Sequence, residues 1–185
     1  AYNMCKLLNL KIYLVDVHPL SGQMTATTIS NCIKKNKINK IDVIITMYLG
    51  GYPENIIEFY KIKKKFKCKI IEDACHAFGA KYKYKNKYYH VGSCKHADIS
   101  TFSFHPVKSI ATGEGGAVST NNIKIYDKLK LYRNHGMIRN KKSHWKYNIK
   151  DIGFNYRISD INCALGISQI KRLKEFIDKR KKISE

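Results

Sequence analysis

Three short apolar runs, Ile12–Val17 (IYLVDV), Asp42–Tyr48 (DVIITMY) and Lys69–Glu72 (KIIE), alternate with stretches of helical character in the first part of the chain. No other feature restricts the fold as much. A strand buried on both faces reads as a near-continuous apolar run, and parallel neighbours need a long crossover between them, usually a helix. The alternation predicts an α/β fold, a mainly parallel sheet with helices on both faces. Thr28–Lys37 is the first expected helix. Pro53 is expected in the first turn of the second, where its missing N–H costs nothing, ahead of an imperfect stripe of Ile56, Phe59, Tyr60 and Phe66. The third run delivers Asp73 at its carboxyl end.

The pattern then changes. Lys81–Tyr89 alternates Tyr and Lys around Asn86, which predicts an exposed hairpin. Asp98–Phe104 and Gly116–Thr120 read as two further strands on either side of a turn-rich segment, HPVKSIATGEG. A helix follows with Ile125, Leu129 and Tyr132 on one face. A last helix is expected from an N-cap at Ser159 through Ile161, Leu165, Leu173 and Phe176. With 185 residues, no internal repeat and no linker, the chain has the size of one domain at roughly 150 residues each.

The charge is +21, from 35 Lys and Arg against 14 Asp and Glu, and this invites a nucleic-acid reading. The balance within the basic residues argues against it: 30 are Lys and 5 are Arg, whereas phosphate and base recognition favours the guanidinium fork. The lysines are dispersed, and no aromatic-and-arginine stacking motif or recognition helix accompanies them. We expect a solvated basic surface, with neither nucleic acid nor membrane as partner, since no run approaches the roughly 20 apolar residues of a membrane span. A basic nucleic-acid-binding α/β module is the alternative from another class. Six cysteines without a CxxC or a dense framework suit reduced thiols in a cytoplasmic protein. Cys75-His76 and Cys94-Lys95-His96 match no common zinc spacing, so no metal is expected.

Ligands of open parallel sheets sit outside the carboxyl ends of the strands. Asp73 lies there, and so does the segment carrying Ser103 and Lys108. A carboxylate and a lysine reaching one crevice suit Schiff-base chemistry with pyridoxal 5'-phosphate. That cofactor needs a lysine to hold its aldehyde and an acid beside its ring nitrogen. Either residue alone in such a place is common.

The residue strings narrow the choice. IIEDACHAFGA (70–80), ADISTFSFHPVKSIATGEGGAVST (97–120), YRNHG (132–136) and IGFNYRISDINCALGISQIKRLKEFIDKR (152–180) resemble the DegT/DnrJ/StrS family of nucleotide-sugar aminotransferases, in the family's order. VDVHPLSGQM fits its earlier strand-to-turn segment. FHPVK followed by TGEGG and a later GFNYR is most similar to members acting in pseudaminic acid biosynthesis. The resemblance implies the large domain of a fold type I pyridoxal-phosphate transferase. It implies that Lys108 holds the cofactor as an imine and shuttles the proton between amino donor and sugar. By the same resemblance Asp73 pairs with the ring nitrogen, His76 lies against the ring or its oxygen, and Ser103 hydrogen-bonds the phosphate. Asn155 reaches the phosphate of the neighbouring subunit's cofactor, so the active site belongs to a homodimer. His135 is implied near the sugar or as a structural residue, and Arg157 near the substrate phosphate or as a support of the fold. Gly113, Gly115 and Gly116 form a tight turn that brings Lys108 into place.

Some members are dehydratases with His in place of this lysine, so Lys108 implies amino transfer, with glutamate the usual donor and a nucleotide-linked 4-keto-6-deoxy sugar the acceptor. Relatives carry an N-terminal stretch before the first strand and a smaller C-terminal domain, both missing here, so we expect a fragment of the large domain, inactive alone. An inactive truncated remnant is the other alternative. The segment TMYLGGYPENI departs from the family's usual strand-end turn.

Overall fold

The computed structural model describes all residues except Lys141, His144 and Glu185. Its centre is a four-stranded sheet in the order β1-β2-β5-β6, built from β1 (Val43–Met47), β2 (Lys69–Asp73), β5 (Ile99–Ser103) and β6 (Gly116–Ser119). β1, β2 and β5 run parallel, and β6 pairs antiparallel with β5. The expected α/β class is what forms. β2 extends one residue further than the apolar run and ends on Asp73 itself.

After the short helix α1 (Tyr2–Leu7), helix α2 (Ala26–Lys35) starts two residues earlier than the pattern suggests, because Thr25 closes a capping box. The Thr25 hydroxyl accepts from the Thr28 N–H at 3.2 Å, and the Thr28 hydroxyl accepts from the Thr25 N–H at 2.9 Å. Helix α3 (Ile56–Phe66) begins after Asn55, whose φ of 56° sets the entry. Pro53 therefore lies ahead of the helix and not in its first turn. A 3-10 turn, Leu49–Gly51, separates β1 from it.

The run Ile12–Val17 forms no strand. An apolar run becomes a strand only when a neighbour takes its backbone hydrogen bonds. Here the segment packs through side chains: Val15 lies against the core, and Cys32 Sγ donates to the Leu14 carbonyl.

Parallel register puts alternate residues on opposite faces. On one face Ile44 and Ile70 meet Ile29 of α2 and Phe59 of α3, forming the main core cluster with Cys68 and Ala97. Toward the carboxyl ends the same face is covered by Tyr48, Ile56, Tyr82 and Val91. Tyr82 comes from the hairpin β3 (Lys81–Tyr84) and β4 (Lys87–His90), whose turn residues Lys85 and Asn86 both have positive φ. The hairpin is thus exposed on its lysine side only. On the opposite face of β1, Val43, Ile45 and Met47 are exposed.

Helix α4 (Ile123–Arg133), capped by Asn122, leads to a small pair, β7 (Met137–Arg139) with β8 (Tyr147–Ile149). The last expected helix is two: α5 (Asp160–Lys171), capped by Ser159 as predicted, and α6 (Leu173–Ser184). The break at Arg172 lets Leu173 and Ile177 reach Gly79.

Candidate active site

Asp73 is the last residue of β2 and shares its face with Met47 and Thr101, its register partners. It is half-buried. Its Oδ1 accepts from the Cys75 N–H at 3.2 Å, a local turn that aims the carboxylate as the chain leaves the strand. The Asp73 carbonyl accepts from the Tyr48 N–H at 3.3 Å, and the Ala74 N–H donates to the Thr101 carbonyl at 2.9 Å. The strand ends are thus tied on both sides. His76 follows, its Nδ1 accepting from the Gly50 N–H at 3.3 Å. Gly51 has a φ of 84° and lies so close that a Cβ there would come within 2.5 Å of the His76 carbonyl oxygen. No other residue fits.

Ser103 ends β5, and its hydroxyl accepts from the His105 N–H at 3.4 Å. From there a closed loop carries Lys108. The Lys108 N–H donates to the His105 carbonyl, the Thr112 N–H to the Phe104 carbonyl and the Phe104 N–H to the Gly115 carbonyl, each at 2.9 Å. Gly115 has a φ of 150°, and a Cβ there would press on the Thr112 hydroxyl at 2.7 Å and Ile158 at 2.8 Å. The Gly-rich string is a turn that closes this loop. Arg180 of α6 donates to the Lys108 carbonyl at 3.0 Å, a support that no motif signalled.

Electrostatics join the two strand ends. The Cys75 thiol is pushed up to about 11, first by burial and then by the Asp73 carboxylate, while the Lys108 ammonium pulls the other way. β2 and β5 are parallel neighbours, so Asp73 and the loop that carries Lys108 leave the same end of the sheet. The sequence analysis weighed Cys75 only as a zinc ligand, although its place two residues after Asp73 was the available signal.

The remaining residues form a second group. Asn155 is bridged to Asn134, Arg157 donates to the Asn134 side-chain oxygen at 2.7 Å, and the His135 N–H donates to the Phe154 carbonyl at 3.0 Å. Asn155, His135 and Arg157 are all exposed. The group meets the lysine loop through Asn162, which donates to the Thr112 carbonyl, and through Ile158 against Gly115. An amine, a carboxylate, an imidazole and a hydroxyl thus lie on segments that leave one sheet end. That donor set fits pyridoxal phosphate: the amine for the aldehyde, the acid for the ring nitrogen and the hydroxyl for the phosphate.

Comparison with known proteins agrees. Residues 1–185 match the profile of the DegT/DnrJ/EryC1/StrS aminotransferase family. The chain is 40% identical over 174 residues to the UDP-4-amino-4,6-dideoxy-N-acetyl-β-L-altrosamine transaminase of Campylobacter jejuni, covering 94% of this chain and 44% of that protein. It is 36% identical to GDP-perosamine synthase of Escherichia coli O157:H7, covering 92% of this chain and 43% of that protein. Among solved structures, Helicobacter pylori PseC, an aminotransferase involved in the biosynthesis of pseudoaminic acid, superposes with a TM-score of 0.79 at 31% identity. It covers 93% of this chain and 43% of its own. The chain thus spans less than half the length of these relatives. The sheet, its strand-end site and the match along the whole chain show that it belongs to the DegT/DnrJ/EryC1/StrS aminotransferase family.

Proposed function

We propose that residues 1–185 are part of the cofactor-binding large domain of a pyridoxal-phosphate-dependent sugar aminotransferase. Its reaction moves an amino group from glutamate to a nucleotide-linked 4-keto-6-deoxy sugar, for pseudaminic acid or another cell-surface glycan, in the cytoplasm. What supports this reading is that Asp73 and the Lys108 loop leave neighbouring strand ends, in a chain matching the family throughout.

Pyridoxal phosphate, when bound, supplies an electrophilic carbonyl and an electron-withdrawing ring. Lys108 Nζ would hold it covalently and, once released, move a proton to or from the substrate carbon that bears the amino group. Asp73 would keep the ring nitrogen protonated. Ser103 Oγ would donate to the phosphate, and His76 would border the ring. Asn155 is turned outward beside the apolar, exposed Phe154 and Tyr156, which supports its use by a second subunit in a homodimer. His135 and Arg157 would stand on the substrate side.

In the full-length protein, incubation with pyridoxal phosphate, borohydride reduction and peptide mapping should label Lys108, and Lys108→Arg should abolish the label. Equal labelling of another lysine would overturn the assignment. The 185 residues alone should show no glutamate-dependent turnover. Measurable turnover in that assay contradicts the fragment reading.

A further inference from the structure

Glu72 is 3% exposed, one residue from Asp73 and on the opposite face of the sheet. A buried carboxylate costs several kcal/mol unless donors compensate it. Two do. The Tyr48 hydroxyl donates to Oε1 at 2.8 Å, and the Ser100 hydroxyl donates to Oε2. Tyr48 is itself 1% exposed and Ser100 fully buried. Burial, followed by the Glu72 charge, pushes the Tyr48 phenol well above the usual tyrosine value, so it stays a donor. The carboxylate thus clasps β1 and β5 to β2 at the rung before Asp73, since Ser100 is the register partner of Glu72. A slip of one residue would send Asp73 to the covered face.

Tyr48 also opens the turn that reaches His76. The Gly51 N–H donates to the Tyr48 carbonyl at 3.0 Å, and the Gly50 N–H between them donates to His76 Nδ1. A neutral imidazole carries one proton, so a ring that accepts at Nδ1 carries it on Nε2. We infer that Glu72 is a positioning residue of the site: through Tyr48 it holds the Leu49–Gly51 turn, and that turn sets the orientation and tautomer of His76 as an Nε2–H donor. The departure of TMYLGGYPENI from the family turn thereby acquires a role. The relevance to catalysis rests on the reading of His76 as a cofactor neighbour.

The test uses the 185-residue chain. Ring-nitrogen NMR reports the His76 tautomer, hydrogen exchange reports the Gly50 amide, and absorbance titration of the full-length protein reports uptake of pyridoxal phosphate. Wild type should show His76 protonated on Nε2. Tyr48→Phe keeps the packed ring and removes the hydroxyl. It should give a mixture of tautomers and roughly tenfold faster exchange at Gly50, with the far-UV spectrum unchanged. Glu72→Leu should do the same, whereas Glu72→Gln, which still offers an oxygen to Tyr48, should preserve the wild-type tautomer. If both Tyr48→Phe and Glu72→Leu lower Tm but leave the His76 tautomer and Gly50 exchange untouched, Glu72 is structural only and the inference is wrong. If Glu72→Leu does not fold, Tyr48→Phe decides alone. A tautomer that responds as expected, together with no uptake of pyridoxal phosphate by the full-length protein, supports the positioning chain and counts against the cofactor reading.

Discussion

Cys75 sits between a carboxylate and an amine, where a nucleophilic thiol would compete with Lys108 for an electrophile. Burial and Asp73 prevent that by raising the thiol to about 11. Against an ordinary thiol near 9, its thiolate fraction at neutral pH is lower by about a hundredfold. Alkylation by iodoacetamide at pH 7.5, followed by mass spectrometry, should therefore find Cys75 modified about two orders of magnitude more slowly than a free-cysteine peptide. Reaction at the peptide's rate would remove the close Asp73 contact. At this scale much of the site was legible. Asp73 closes an apolar run and turn chemistry around Gly115 is local, whereas Lys108 is one lysine among 30 and only the FHPVK string singles it out. Glu72 was not legible, because inside IIED it reads as the polar end of an apolar run. Its value lies in Tyr48 and Ser100, which are 24 and 28 residues away.

Between elements, His96 is the junction. It is 4% exposed and ringed by Tyr60 of α3 and by Tyr82, Tyr84 and Tyr89 of the hairpin, at centroid distances of 4.8–5.8 Å. The Tyr82 hydroxyl pairs with its Nδ1 at 2.7 Å. Burial, and then the charges of Lys95, Lys63 and Lys64, hold its protonation below the usual range. The unfolded chain thus takes up the proton first as pH falls. The stability is complete above about 6.5, the unfolded value, and is lost as pH drops from there through the folded value. Urea unfolding at pH 7.5 and 5.5 should show a lower midpoint at the acid pH, and His96→Phe should narrow the difference. An unchanged midpoint in wild type would contradict it.

Asp98 extends the acid sensitivity. Burial pushes its carboxyl up, but the Lys63 ammonium, the Ile70 N–H and the Lys69 ammonium together hold it below the usual value. Lys63 stands at 2.7 Å and Lys69 at 3.2 Å, so Asp98 joins α3 and β2 to the start of β5. Its contribution is present above about pH 4 and lost below. Asp98→Asn should cost about 1–3 kcal/mol in urea unfolding at pH 7, the range for a charge-assisted hydrogen-bond site. A change under 0.5 kcal/mol, roughly the scatter of surface substitutions, would show that the junction does not depend on the charge.

Over the whole molecule the apolar surface is uneven. Ile152, Phe154 and Tyr156 are exposed ahead of α5, and Ile161, Leu165, Ile167 and Ile170 are exposed on it. So many exposed apolar residues close in sequence are more than scattered surface hydrophobics. Light scattering after size exclusion should show concentration-dependent association, and Ile161→Glu should shift it toward monomer. A monomer at all concentrations would count against this region as a subunit contact in the isolated chain. The charge of +21 bears on solubility and on weak, salt-screened attraction of anionic substrates rather than on the fold.

Local pattern was enough to identify the strands of the central sheet, the Ser159 cap, the hairpin and Asp73 at the end of its strand. Burial period, capping and turn preference are encoded within a few neighbouring residues. Three-dimensional packing was needed for the rest. Ile12–Val17 has strand composition but no strand beside it. One helical stripe becomes α5 and α6 because Leu173 and Ile177 turn to meet Gly79. The clasp of Glu72, the grip of Gly50 on His76 and the tie from Arg180 to Lys108 join residues 24 to 72 positions apart. Such contacts exist only after the chain has closed those loops, and no local pattern encodes them.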